Sequence, residues 1–146
     1  MRQVDASVLI NCTGAAVINA FLDPVELKGW WGVKRSFVER KPEGLWVLAW
    51  EISGAGMKYV SSGLVEKYEP SSYLSIRHLV YLNPEKQILG PMKLEVFAEE
   101  IGPGLSNVKV IQSGYQYGGD WDWYYEAVLQ AWPIALGSLK EYLEQP

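Results

Sequence analysis

The feature that most constrains this chain is a change of hydrophobic period near its C-terminal end. Val128, Leu129, Trp132, Leu136, Leu139 and Leu143 recur three and four residues apart, which is the pattern of a helix with one apolar stripe. Asp120 or Asp122 is placed to cap such a helix, and the spacing carries it to about Glu144. Pro133 lies inside it and removes a backbone donor, so a kink is expected near residues 129–132. Most of the upstream sequence alternates with period two instead. A stripe of this length has to be covered, and what the rest of the chain supplies to cover it is a sheet.

The upstream segments read in order. Val4, Ala6, Val8 and Ile10 alternate with Asp5, Ser7, Leu9 and Asn11, a half-buried first strand. Thr13 caps a short helix over residues 14–22, with Val17, Ala20 and Phe21 on its core stripe. Asp23-Pro24-Val25-Glu26 then supplies an N-cap, a proline at the first helical position and a capping-box acid. This second short helix runs from Pro24 to about Lys28 and ends at Gly29-Trp30-Trp31-Gly32. Strands follow at 33–39, 45–52, 57–68, 73–82, 92–101 and 105–113. Turn-forming clusters separate them, among them Ser53-Gly54-Ala55-Gly56 and a loop from Asn83 to Pro91. Turns this short imply antiparallel pairing, so the expectation is one α+β domain over residues 1–146. It has six or seven strands, two short helices after the first, and a long helix at the end. No repeat or linker interrupts it.

Strand parity gathers the candidate site residues. Trp46, Leu48, Trp50 and Ile52 share one face of the third strand. Tyr59 shares a face with Met57 and Val65; Leu74, Ile76, His78 and Val80 share one on the fifth strand; Val108, Val110 and Gln112 share one on the last. Seven tryptophans and nine tyrosines against three phenylalanines put many rings with one polar tip into a small chain. Such rings suit a greasy but selective pocket as well as a core. Trp121-Asp122-Trp123-Tyr124-Tyr125-Glu126 opens the last helix, and its rings cannot all share one face. Some have to cover a pocket mouth or meet a partner.

Several classes of function are disfavoured. The formal charge of −4, without a basic run, argues against a nucleic-acid groove. Cys12 is the single cysteine, so no intrachain disulfide and no cysteine-based zinc site is expected; one histidine makes no convincing metal site, and no cofactor is implied. The N-terminal Met1-Arg2-Gln3-Val4-Asp5 lacks the apolar stretch of a signal peptide. No run approaches the roughly 18 apolar residues of a membrane span. A cytoplasmic protein without membrane or nucleic-acid partners is the expectation.

Four stretches in fixed order resemble a known family. They are Phe21 to Leu27 with Trp30-Trp31, Gly63 to Pro70 followed by Leu74, Gly104 to Tyr115, and Trp132, Leu136, Leu139 with Tyr142-Leu143. Together they resemble the START-like, or SRPBCC, superfamily of birch-pollen-allergen-like domains, in the branch named for the activator of the heat-shock-protein-90 ATPase. Three positions depart from that pattern: Gly14-Ala15-Ala16 stands where a proline usually starts the first helix, Gln112 replaces a frequent histidine, and Pro133 follows the helix tryptophan. The resemblance implies the helix-grip fold, a curved antiparallel sheet around the long terminal helix with a cavity between them. It also implies hydrophobic ligands, with some relatives acting as cyclases or hydrolases and some as chaperone partners in stress response.

Three functions fit the sequence. The first is binding of a small hydrophobic or aromatic molecule, with Trp46, Trp50, Tyr59, His78, Val110, Gln112 and Trp123 as candidate contacts. The second is a cyclase or hydrolase using His78 as acid-base, assisted by Tyr59 or Gln112. The third is a protein-interaction module, a homodimer or a co-chaperone-like factor, which predicts a collapsed interior and an exposed patch of rings at residues 121–125. Catalysis is the less favoured direction: neither a nucleophile elbow nor a phosphate-binding glycine loop is present.

Overall fold

The computed structural model of the chain describes residues 2–54 and 56–146, with backbone only at Ile52 and Met57. The expectations for Met1, for Ala55 in its turn, and for the Ile52 and Met57 side chains lie outside the described residues.

Alternation sets the first strand. β1 (Gln3–Ile10) buries Val4 and Ile10 and exposes Gln3, Asp5, Ser7 and Leu9. The capping signals then act as read. Thr13 Oγ1 accepts from the Ala16 amide to start α1 (Gly14–Ala20), and the Asp23 carboxylate accepts from the Val25 and Glu26 amides to start α2 (Pro24–Trp31). Helix α2 runs one turn past the expected end. Gly32, at φ 70°, is its left-handed C-cap, so Trp30 and Trp31 lie on the helix. Gly14 is a packing requirement: a Cβ there would sit 2.1 Å from the Ser71 carbonyl oxygen. Its amide also donates to Glu100 Oε1 at 2.7 Å, a bond that proline has no N–H to make.

The remaining strands are β2 (Arg35–Val38), β3 (Leu45–Ser53), β4 (Gly56–Glu69), β5 (Tyr73–Leu82), β6 (Leu89–Gly102) and β7 (Leu105–Ser113). They form one seven-stranded sheet in the order β1-β7-β6-β5-β4-β3-β2, with every neighbouring pair antiparallel. Strand β6 begins three residues earlier than its sequence pattern indicated, because Leu89 pairs with Tyr81 and is fully buried. Strands β1 and β2 are the two edges, so α1 and α2 carry the chain from one edge of the sheet to the other.

Bulges bend this sheet. Register shifts fall between Ser62 and Leu64, between Val65 and Lys67, and twice around Leu79. Gly63 lies in the first of them, where a Cβ would meet Ile76 Cγ2 at 2.6 Å. The bulge at Leu79 overturns one expectation. Leu74 and Ile76 are buried, but His78 takes a left-handed backbone (φ 51°) and faces solvent. An extra residue inverts parity, so Leu79 turns inward in its place.

The final helix, α3 (Asp120–Leu143), closes the fold. Its N-cap is Gly119 and not an aspartate; no side chain caps it. Asp120 instead accepts from the Gln87 amide at 2.8 Å, and Asp122 pairs with Arg2 at 2.9 Å. The helix continues through Pro133, whose ring is exposed, so water can take the carbonyl that the proline leaves without a donor. Trp121, Tyr124, Val128, Trp132, Leu136 and Leu139 form its buried stripe. The close backbone neighbours of α3 are β1 and α2. Toward β3, β4 and β5 the gap is left to long side chains. This is the helix-grip arrangement: a curved seven-stranded sheet around one long helix.

Candidate functional site

The gap between α3 and the bend of the sheet is a cavity of about 330 Å³ that opens to solvent. Each element supplies rings for a structural reason. Helix α2 delivers Trp31 from its last turn; the inner face of β3 delivers Trp46 and Trp50; the stripe of α3 delivers Tyr124, Val128 and Trp132, four residues apart. Tyr59 lies directly across from Trp50 in the β3–β4 pair. Leu79 and Tyr81 reach the cavity because the β5 bulge inverted their parity. Glu51, Ser61, Leu94, Gln112 and Ala131 complete the wall.

The indoles are fixed by their polar edges. Trp46 Nε1 donates to the Phe21 carbonyl at 3.0 Å, Trp50 Nε1 to the Trp31 carbonyl at 3.0 Å, and Trp132 Nε1 to Gln112 Oε1 at 2.9 Å. Ring contacts then join them. Trp31 lies 5.2 Å from Trp50 edge-on, 5.3 Å from Trp132 and 6.4 Å from Trp46, distances at which aromatic pairs attract. A second group is phenolic: Tyr81 stacks on Tyr124 at 4.5 Å and on Tyr59 at 6.3 Å. The wall is thus indole on one side and phenol on the other.

Gln112 holds the two sides together. It is 3% exposed, and both ends of its amide are used. While Oε1 accepts from Trp132, Nε2 donates to Tyr124 Oη at 3.1 Å and approaches Met92 Sδ at 3.6 Å. Gln112 is therefore a cross-tie between β7 and α3. The Tyr124 hydroxyl accepts from Gln112 and keeps its own proton for another acceptor. Burial pushes the Tyr124 phenol well above its ordinary range, and burial also raises Tyr81, so both are neutral donors at physiological pH.

Of the candidates expected from sequence, Trp46, Trp50, Tyr59 and Gln112 line the cavity. Three do not. His78 is on the outer surface. Val110 is fully buried in the core and contributes no cavity surface. Trp123 is 40% exposed on the first turn of α3, with Lys86 Nζ 4.4 Å above its ring. Trp31, Glu51, Tyr81, Tyr124 and Trp132 also line the cavity but were not among the contacts expected from the sequence. For Tyr124 and Trp132 the signal existed, since they stand four residues either side of Val128 on the helical stripe. For Tyr81 and Glu51 it did not, because each depends on a backbone irregularity.

Other chemistry is sparse among the described residues. No group of three His, Cys, Asp or Glu side chains is placed to hold a metal ion. Cys12 is half-buried, and its thiol is pushed up by burial and then by Glu144 and Glu100, the opposite of an activated nucleophile. No helix among the described residues is long and apolar enough to cross a membrane.

Against known proteins, the family model for activator of Hsp90 ATPase homolog 1-like proteins matches residues 11–144. The chain belongs to this family. No curated protein sequence matches it. Among solved structures it is similar to a protein from Chromobacterium violaceum, with 14% identity, all of both chains covered and a TM-score of 0.75. It is also similar to the Aha1 dimer from Colwellia psychrerythraea, with 17% identity, 99% of this chain and 97% of that chain covered, and a TM-score of 0.71. A third is a putative protein in the dynemicin biosynthetic locus, with 17% identity, 98% of this chain and 47% of that chain covered, and a TM-score of 0.74. At such identities the likeness shows a shared fold. The activator-like family and the helix-grip architecture agree, and residues of this chain alone define the cavity.

Proposed function

We propose that this protein binds a small hydrophobic or aromatic molecule in the cavity between the sheet and α3. The observation that carries this is the cavity itself: about 330 Å³, walled by four indoles and three phenols. That volume lies within the range of small-molecule sites, of about 300–1,000 Å³. Trp46, Trp50 and Trp132 are held by bonds to backbone carbonyls and to Gln112, so their part of the wall is preformed. A preformed apolar space reduces the ordering cost of binding. A structural neighbour from a biosynthetic locus fits this reading without naming a ligand.

The alternatives have less support. A cyclase or hydrolase reading relied on His78, which stands outside the cavity and cannot reach a ligand held there. An interaction module predicted a filled interior and an exposed ring cluster; instead the interior is hollow, and Trp121 and Tyr124 are buried. A dimer neighbour keeps homodimerisation as a secondary proposal, to be checked by sedimentation. A cytoplasmic setting, expected from the sequence, belongs to the same proposal, and cell fractionation checks it.

The test is mass spectrometry of gently purified protein, together with tryptophan fluorescence against aromatic and lipid panels. Binding predicts a retained mass or saturable quenching. A clean unliganded spectrum with no quenching by any panel member would overturn the proposal.

A further inference from the structure

Glu51 breaks the alternation of β3. Trp46, Leu48 and Trp50 face the helix, so regular pleating would send Glu51 to the opposite face with Leu45 and Val47. Its φ is 51°, in the left-handed region, which costs an L-residue other than glycine about 1 kcal/mol. With that backbone Glu51 joins the cavity wall, next to Trp50 and near Tyr59, and its carboxylate stays more than half exposed beside Lys58. Strain held inside a strand at the mouth of a cavity points to a requirement other than the sheet's own.

The formal charge of the wall has one sign. Glu51 is the sole charged residue lining the cavity among the described residues; no lysine, arginine or histidine lines it. The N–H groups of Trp46, Trp50 and Trp132 are already bonded within the protein. What these indoles offer a ligand is therefore their π density, which is negative. At the rim the chain shows the consequence itself. The Lys58 ammonium lies 5.3 Å from the centre of the Tyr59 ring and 3.7 Å from Glu51 Oε2. Both partners of this ion pair are more than half exposed, so a better-fitting cation can displace the lysine.

We propose that the cavity selects a hydrophobic monocation, an amine or quaternary ammonium whose charge sits at the rim beside Glu51 and Tyr59 while its apolar body lies among Trp46, Trp50 and Trp132. This rests on the cavity being a small-molecule site, as proposed above, and adds the sign of the ligand's head group. A cation over an aromatic face gains about 0.5–2 kcal/mol depending on its desolvation. Because Glu51 is exposed at the opening, the charge stays partly hydrated and avoids the penalty of full burial. A carboxylate in the same place faces the negative ring faces and Glu51 together, and is rejected.

The experiment is calorimetric titration with three probes of similar size: benzyltrimethylammonium, its neutral carbon isostere neopentylbenzene, and 3-phenylpropionate. The ammonium is expected to bind about tenfold or more tightly than the neutral isostere, and the carboxylate most weakly. Glu51→Gln should weaken the ammonium several-fold and leave the neutral probe unchanged, with circular dichroism confirming the fold. Lys58→Gln should strengthen the ammonium by removing its competitor. If the neutral probe or the carboxylate binds as well as the ammonium, charge selection is overturned while the cavity remains a binding site. If no probe binds, the cation proposal is overturned, and the small-molecule reading stands or falls separately on the retained mass and the quenching panels.

Discussion

Replacing Gln112 by methionine tests whether the cavity is held open by a polar cross-tie. Methionine nearly matches the side-chain volume but removes the bond from Trp132 Nε1 at 2.9 Å and the bond to Tyr124 Oη at 3.1 Å. Each neutral bond contributes about 1 kcal/mol net, and a stranded buried donor costs about 1–3 kcal/mol. Trp132 is 5% exposed, so its N–H has little access to bulk water, although a cavity water can relieve it in part. The added apolar burial of the thioether offsets about 1 kcal/mol. The expected net loss is about 2 kcal/mol, or about 4–8 °C in Tm for a domain of this size. Urea unfolding followed by far-ultraviolet circular dichroism measures it. A double-mutant cycle with Trp132→Phe isolates the pair and should give a coupling of about 1 kcal/mol. A loss under about 0.5 kcal/mol together with an additive cycle would refute the cross-tie.

Three other outcomes follow from the same geometry. Gly63→Ala forces a methyl to within 2.6 Å of Ile76 Cγ2 and 2.9 Å of the Arg77 carbonyl, and should cost about 1–3 kcal/mol in chemical denaturation. His78→Gly relieves a left-handed residue on the surface; it should raise stability by about 0.5–1 kcal/mol in the same assay and leave ligand titrations unchanged. Alkaline stability should fall above pH 10. Burial and the bond to Glu95 push the Tyr73 phenol up to about 12. Below pH 10 its contribution is intact; between 10 and 12 the unfolded phenol ionises while the folded one keeps its proton, so stability drops as pH rises. Tyr115 and Tyr124 are raised by burial as well and act in the same direction. Phenolate absorbance against pH, compared in folded and urea-unfolded protein, checks this.

The architecture was legible because its signals are local. Thr13, Asp23 and Pro24 fix helix starts through bonds a few residues long, and the change from period two to helical spacing marks α3 without reference to anything distant. The site was legible only where strands stay regular. Trp46, Trp50, Tyr59 and Gln112 follow simple alternation and reach the cavity. His78 follows the same rule on paper, but an extra residue in β5, opposite a bend that Gly63 permits, turns it out and brings Leu79 and Tyr81 in. Bulges arise from the packing of one strand on another, so the sequence of a single strand carries little trace of them. Glu51 is hidden for a similar reason: a charged residue in mid-strand reads as solvent-facing until its φ is known. The capping of α3 shows a different limit. Two aspartates stood at suitable positions, yet Gln87 and Arg2, distant in sequence, engage them instead.

Binding requires a ligand to enter the hollow between the sheet and α3, and the seven indole N–H groups give a direct view of it. In a ¹H–¹⁵N NMR titration with a saturating small aromatic cation, the Trp46, Trp50 and Trp132 indole signals should shift strongly. Trp121 and Trp123, which do not line the cavity, should move little. Shifts confined to Trp121 and Trp123, with the cavity indoles unmoved, would contradict it.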